Sequence, residues 1–194
     1  LAGTIEIEPS LRIGVYEQEV SRQYFDLSLH NAIERVYLDR QLSVGETKIR
    51  QLLSDYLFSD GDGQVPVRQL SGGQKARLQI IAMLASDPQL LILDEPTSSL
   101  DAHETAKLFQ VMRQLKSEGV AIVFITHFID QVYAISDRIT VLRNGRLVGV
   151  YDTAALPQLD LIANMLGRII VDLDDVSQLK HQREQQISAE PLLQ

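Results

Sequence analysis

The stretch LLILDEP at residues 90–96 ends an apolar run in two consecutive carboxylates, Asp94 and Glu95, and QLSGGQKARLQI precedes it at residues 69–80. In an open α/β sheet, ligands bind outside the carboxyl ends of the strands, so a carboxylate-tipped strand is placed for phosphoryl chemistry. Side chains alternate along a strand, so the two acids are expected to do different work. Asp94 is suited to hold Mg²⁺ through a water, and Glu95 to polarise an attacking water as general base. Taken alone, the pair also fits a plain strand end and a turn before Pro96. Ser71 stands before two glycines at the start of a helix. There its hydroxyl and free backbone N–H groups can face an anion favoured by the helix dipole. Gly72 and Gly73 let the backbone approach that anion closely, although a lone SGG also fits an ordinary serine cap. What is missing is a phosphate-cradling GxxxxGK[ST] loop: VGETK at residues 44–48 has neither the spacing nor the Ser or Thr after the lysine.

These residues need a scaffold, and the hydrophobic pattern supplies one. A helix over 72–85, a strand at LLILD, a helix over 102–117, a strand at VAIVFIT and a helix over 128–135 alternate along the chain. Short apolar strands separated by helices predict a parallel sheet with helices on both faces. TIEIE and LRIGVY, around Pro9-Ser10, predict a short strand pair at a sheet edge. Leu29, Ile33, Val36 and Tyr37, then Ile49, Leu52, Leu53, Tyr56 and Leu57, fall at helical spacing and predict a helical insert over about 20–66. RITVLRNGRLVGVY at 138–151 predicts a hairpin through Asn144-Gly145. ALPQLDLIANML at 155–166 predicts a closing amphipathic helix with Pro157 in its first turn. Residues 169–194 are expected to be a linker or tail, with residues 1–168 as the domain.

The chain has 194 residues, 45% of them hydrophobic, which allows one substantial core with a small subdomain. Its 18 basic and 26 acidic residues give a net charge of -8, which argues against a chain that coats nucleic acid. It contains no cysteine, which excludes disulfides and thiolate metal sites. The longest apolar runs fall far short of the roughly 20 residues that span a bilayer, so any membrane association is expected to go through a partner. The start LAGTIEIE reads as neither a signal peptide nor a natural beginning, and the chain is expected to be a piece of a longer one.

LSGGQ, followed by LILDEPTSSLD and then ITH in that order, resembles the signature motif, Walker B strand, D-loop and switch histidine of the ATP-binding cassette (ABC) ATPases. The resemblance covers residues 1 to about 168 and implies a P-loop NTPase-like fold lacking its Walker A segment. It implies that Gln18 is the Q-loop glutamine touching Mg²⁺ or the lytic water. Ser71, Gly72, Gly73 and Gln74 would contact the γ-phosphate of an ATP held by a second cassette, a homodimer partner or tandem copy. Asp101 would lie in the D-loop, while also fitting a cap for the next helix. His127 would hydrogen-bond the γ-phosphate and orient the water beside Glu95. The missing lysine and Mg²⁺-binding Ser or Thr remove the main cradle for the β- and γ-phosphates. Weak ATP binding and negligible hydrolysis are therefore expected of the isolated chain.

The run at 119–168 resembles the first cassette of monosaccharide importer ATPases, among them those of galactofuranose-type systems. That likeness implies membrane permease subunits as partners, a periplasmic solute-binding protein at one remove, and a place at the inner face of the plasma membrane. A groove around Gln18 and the helical insert would then accept a coupling helix of the permease. In contrast, LRIGVYEQE and the run at 49–78 look like the ABC-F proteins, ATPases that act on ribosomes. TSSLD sides with the importers. A non-hydrolysing interaction module is a third reading, against which Asp94, Glu95 and His127 argue.

Overall fold

The computed structural model describes residues 8–16 and 20–167, which fall into two compact units, one ending at Ile135 and the other beginning at Ser136. The first unit is built on a three-stranded parallel sheet in the order β1 (Ile13–Val15), β2 (Leu90–Asp94), β3 (Ala121–Ile125). Ile13 is level with Leu90 and Leu90 with Ala121, and the register runs on to Asp94 opposite Ile125. Period-two alternation puts Gly14, Leu91, Leu93, Ile122 and Phe124 on one face. That face packs against α3 (Gly72–Leu84) and α4 (Ala102–Ser117), with Leu91 and Leu93 fully buried. The other face carries Val15, Val123 and Ile125, which stay 59%, 45% and 45% exposed.

Close approach of α3 to the sheet depends on a missing side chain. A Cβ at Gly14 would lie 2.7 Å from Leu91 Cδ2 and 3.1 Å from Met83 Cβ. On the other flank Phe124 of β3 meets Phe109 of α4 edge to face, with ring centroids 5.8 Å apart. LRIGVY thus joins the parallel sheet through Ile13–Val15; residues 4–7 of the expected pair lie outside the described residues. Parallel pairing with β2 satisfies its backbone, as when the Tyr16 N–H donates to the Ile92 carbonyl at 2.9 Å.

Between β1 and α3 the chain forms α1 (Leu29–Asp39) and α2 (Glu46–Asp55). Ser28 caps α1 by accepting from the Asn31 N–H at 3.2 Å. Entry and exit of this helical segment are laced together. Leu29 N–H donates to Val65, Val67 N–H to Leu27 and Arg68 N–H to Phe25, each through a carbonyl at 2.9–3.1 Å. The segment therefore arrives at α3 as a closed excursion, with Leu29, Ile33 and Ile49 in the same core cluster as Ile80, Leu91 and Leu108. After β3, α5 (Ile129–Ile135) completes the unit.

The second unit pairs β4 (Arg138–Arg143) with β5 (Arg146–Asp152) antiparallel, with an irregularity between Val141 and Leu142. Asn144 and Gly145 take positive φ, 52° and 72°, as a two-residue hairpin requires. α6 (Gln158–Leu166) follows, with Pro157 at its N-cap instead of its first turn and Gly167 left-handed at its end. Arg143 donates to the Asn164 carbonyl at 2.8 Å, closing one free carbonyl of that helix end. Among the described residues no helix is long and apolar enough to cross a membrane.

Two outcomes test this packing. Gly14→Ala is expected to lower the urea midpoint, with a cost of about 1–3 kcal/mol for overpacking against Leu91; an unchanged midpoint would mean α3 can move away freely. Burial pushes the Tyr16 hydroxyl up from 10.0 to about 12. Because the unfolded chain ionises first, stability held below pH 10 is lost as pH rises towards 12. Tyr16→Phe is expected to flatten that decline between urea midpoints taken at pH 9 and pH 11.

Candidate functional site

Asp94 closes β2 with its side chain exposed, and the chain then kinks, because Glu95 adopts a left-handed φ of +47°. A non-glycine residue pays about 1–3 kcal/mol for that conformation unless its surroundings hold it there. Two bonds do. The Glu95 N–H donates to the Ile125 carbonyl at 2.9 Å, and Glu95 Oε1 lies 2.8 Å from His127 Nδ1. The register of Asp94 opposite Ile125 brings the ends of β2 and β3 level, so the residues that follow, Glu95 and His127, meet. The kink brings the Glu95 carboxylate to His127 beyond β3, while Asp94 stays in the strand and exposed. Consecutive acids thus acquire different surroundings, and Glu95 Oε2 is left buried with no hydrogen-bond partner. An oxygen in that state calls for a donor such as a water.

His127 is itself held. The Phe128 N–H donates to Thr126 Oγ1 at 3.1 Å, turning the chain around the histidine, and the Phe128 ring lies 4.1 Å from the imidazole. Beneath the pair, Thr97, 2% exposed, donates its hydroxyl to Gln131 Oε1 at 2.6 Å. That bond ties the loop after Glu95 to α5, so the Glu95 and His127 backbones are braced as one piece. Neither Thr97 nor Gln131 stands out in the sequence, since a lone Thr and a lone Gln 34 residues apart give no periodic signal.

A second cluster forms at the start of α3. Ser71 is its N-cap in a full capping box: Ser71 Oγ accepts from the Gln74 N–H at 3.1 Å and Gln74 Oε1 accepts from the Ser71 N–H at 2.9 Å. Gln74 is thereby engaged in capping, while the Ser71 hydroxyl proton and the Gly72 and Gly73 N–H groups lie outside the box. The two glycines lie against the segment that leads into α4. A Cβ on Gly72 would be 3.0 Å from Leu100 Cδ2, and one on Gly73 would be 2.8 Å from Glu104 Cβ. Asp101 caps α4, its Oδ1 accepting from the Glu104 N–H at 2.8 Å. The sequence-derived residues therefore assemble as two groups, Asp94, Glu95 and His127 on the strand ends, and Ser71, Gly72, Gly73, Gln74 and Asp101 at two facing helix starts.

Gln18 lies outside the described residues. Among the described residues a groove of about 300 Å³ opens between β1, α1 and α3, lined among others by Val15, Val20, Tyr24, Arg40, Gln79 and Met83. Gln79 Oε1 is buried without a partner and supplies the groove's unsatisfied acceptor. Among the described residues no group of three or more His, Cys, Asp or Glu could cage a metal. Asp94, exposed at the end of β2, is a carboxylate that could contribute one ligand to a hard cation whose other oxygens came from phosphate and water.

A family model described as "AAA domain, putative AbiEii toxin, Type IV TA system" matches residues 7–127. The chain is 46% identical over 123 residues to the galactofuranose transporter ATP-binding protein of Escherichia coli (strain K12), covering 63% of this chain and 24% of that protein. It is 38% identical over 141 residues to a fructose import ATP-binding protein of Bifidobacterium longum, covering 71% and 28%. With a ribose import ATP-binding protein of Burkholderia ambifaria it shares 36% over 183 residues, covering 86% and 36%. The chain thus spans 24–36% of the length of these relatives. Among solved structures it superposes on cbiO1 from Clostridium perfringens, part of the ABC transporter complex cbiONQ, at TM-score 0.63 and 25% identity, covering 88% and 67%. An ATP-binding cassette solved as a dimer in a post-hydrolysis state with ADP and Pi shares the fold at TM-score 0.59 and 23% identity, covering 74% and 63%. A family match over more than half of the chain, on a carboxylate-tipped parallel sheet of cassette fold, makes this chain a member of the AAA/ABC family of ATPase domains.

Proposed function

We propose that these residues are the hydrolytic and signature part of the ATP-binding, energy-coupling subunit of a carbohydrate importer. The observation that carries the reading is the Glu95–His127 pair, 2.8 Å apart on a strained and braced strand end. Glu95 offers one oxygen fixed by the imidazole and a second, Oε2, with no partner, which suits it to take a proton from an attacking water. His127 holds the carboxylate in place and presents its outer ring edge to the terminal phosphate. Asp94, one residue earlier and pointing elsewhere, would hold Mg²⁺, which neutralises phosphate charge when bound. Gln18 would complete that shell.

Ser71, Gly72 and Gly73 would receive the γ-phosphate of an ATP carried by a second cassette, with Asp101 and Gln74 fixing the two helix starts that frame it. Closure of two cassettes would then require ATP, and cleavage would release them. The groove lined by Val15, Val20 and Gln79 would accept a helix of a membrane permease, which would hold the subunit at the inner face of the plasma membrane; a solute-binding protein would act through that permease. The relative that covers 86% of the chain is a sugar importer subunit, and its alignment takes in much of the N-terminal half as well, so no observation favours the ribosome-acting alternative. The relatives name three different sugars, so the reading stops at a carbohydrate.

In the intact protein, Glu95→Gln is expected to cut ATP turnover, read as phosphate release, by about 10²–10⁴-fold while ATP-dependent association of cassettes persists. Turnover within a few-fold of the unaltered protein would remove Glu95 from the role of base. The isolated 194-residue chain, which contains no GxxxxGK[ST], is expected to release phosphate at the buffer background.

A further inference from the structure

Arg77 sits on α3 one turn beyond Gly73, is 3% exposed, and has neither its Nε nor its Nη1 hydrogen-bonded. Its guanidinium lies 5.0 Å over the Phe58 ring, which balances part of the charge but accepts none of those N–H donors. Burial lowers its proton affinity, opposed first by the Glu104 charge and then by that of Asp62. A buried cation with two idle donors is costly and demands an acceptor. Glu104 is within electrostatic reach but not bonded to it. Instead its side chain lies flat on Gly73, with Cγ and Cδ each 3.0 Å from the point a Cβ would occupy. Gly73 and Arg77 are four residues apart on one helix face, and the carboxylate that rests on the first is the charge that acts most favourably on the second.

We propose that Glu104 and Arg77 are a positioning pair for the Ser71–Gly73 turn: a phosphate arriving at the turn repels the Glu104 carboxylate from Gly73, and the carboxylate closes on the unbonded Nε–H of Arg77. The inference rests on the reading of that turn as a phosphate site and adds its regulation. Carboxylate and phosphate compete for one positive helix start, whose openness is set by the absent side chain of Gly73. The Nε–H donor is fixed in the guanidinium plane, a direction that a lysine ammonium does not reproduce. Since Glu104 is in the first turn of α4 and its N–H is held by Asp101, its displacement carries phosphate occupancy from α3 into α4.

The test is a titration of the ¹⁵N-labelled 194-residue chain with inorganic pyrophosphate at constant ionic strength, following the Gly72 and Gly73 amides and the Arg77 Nε–H resonance. The Arg77 signal is expected to move in step with the glycine amides in the unaltered chain and to stay still in Glu104→Gln. Arg77→Met is expected to weaken pyrophosphate binding about five-fold with Glu104 present and by less than two-fold in the Glu104→Gln background, a non-additivity of the size seen for coupled neighbours. Responding glycine amides with a still Arg77 resonance, or an Arg77 shift that survives Glu104→Gln, would overturn the pair and leave the phosphate site standing. Glycine amides that never respond would overturn the site and the pair together. The resonance readout in the unaltered chain decides the matter even where Arg77→Met does not fold.

Discussion

The burial of β2 between two parallel neighbours is the constraint from which the chemistry of this molecule derives. Leu91 and Leu93 are fully enclosed, and removing either side chain from water is worth about 1.5–3 kcal/mol, so the strand cannot shift without losing both. A slip of one residue would turn both leucines to the face where Val15, Val123 and Ile125 remain exposed. Register is therefore locked by packing far from the site, and it is register that sets Asp94 opposite Ile125 and brings Glu95 to His127.

How much of this was legible in the sequence follows from which interactions are local. LLILD, the helix at 102–117 and the Asn144-Gly145 turn carry their own signals, in apolar continuity, periodicity and tolerance of positive φ, and each formed where the pattern placed it. The Ser71 cap was readable for the same reason, since its partner Gln74 is three residues away. The features that refine the site were not. The left-handed turn at Glu95 needs a bond from its N–H to Ile125, 30 residues on, and the Thr97–Gln131 brace joins two residues of unremarkable type. Pairing of Ile13–Val15 with β2 likewise depends on a strand more than 70 residues later, which alternation alone does not show.

Glycine does two separate jobs here, and the distinction explains why both lie beside functional segments. At Gly14 the missing Cβ admits α3 to the sheet, which is a packing requirement. At Gly72 and Gly73 neither residue takes a positive φ, so the backbone does not need glycine for its conformation. What the pair provides is space: Leu100 and Glu104 from the opposing segment come to rest where side chains would have been. Space of that kind is a cost to an ordinary helix start, since glycine weakens a helix by about 1 kcal/mol relative to alanine. The capping box at Ser71 and Gln74 offsets it, and the result is a helix end that is held firmly yet has an open surface.

The two groups of candidate residues differ in how they are supported. Glu95 and His127 are braced by strand register, a backbone bond and the buried Thr97–Gln131 contact, all of which resist displacement. Around Ser71–Gly73 the support comes from the capping box, while the side chains nearest the glycines are a flexible glutamate and a leucine, and the nearest buried cation is unsatisfied. A rigid cluster is what proton transfer to or from a water requires, because the reacting atoms must be held within a few tenths of an ångström. On the proposed reading, the turn at Ser71–Gly73 makes a reversible contact, which has to be weak enough to be undone once the phosphate bond is broken. The fold would then separate, within one unit, the part that must stay fixed from the part that must let go.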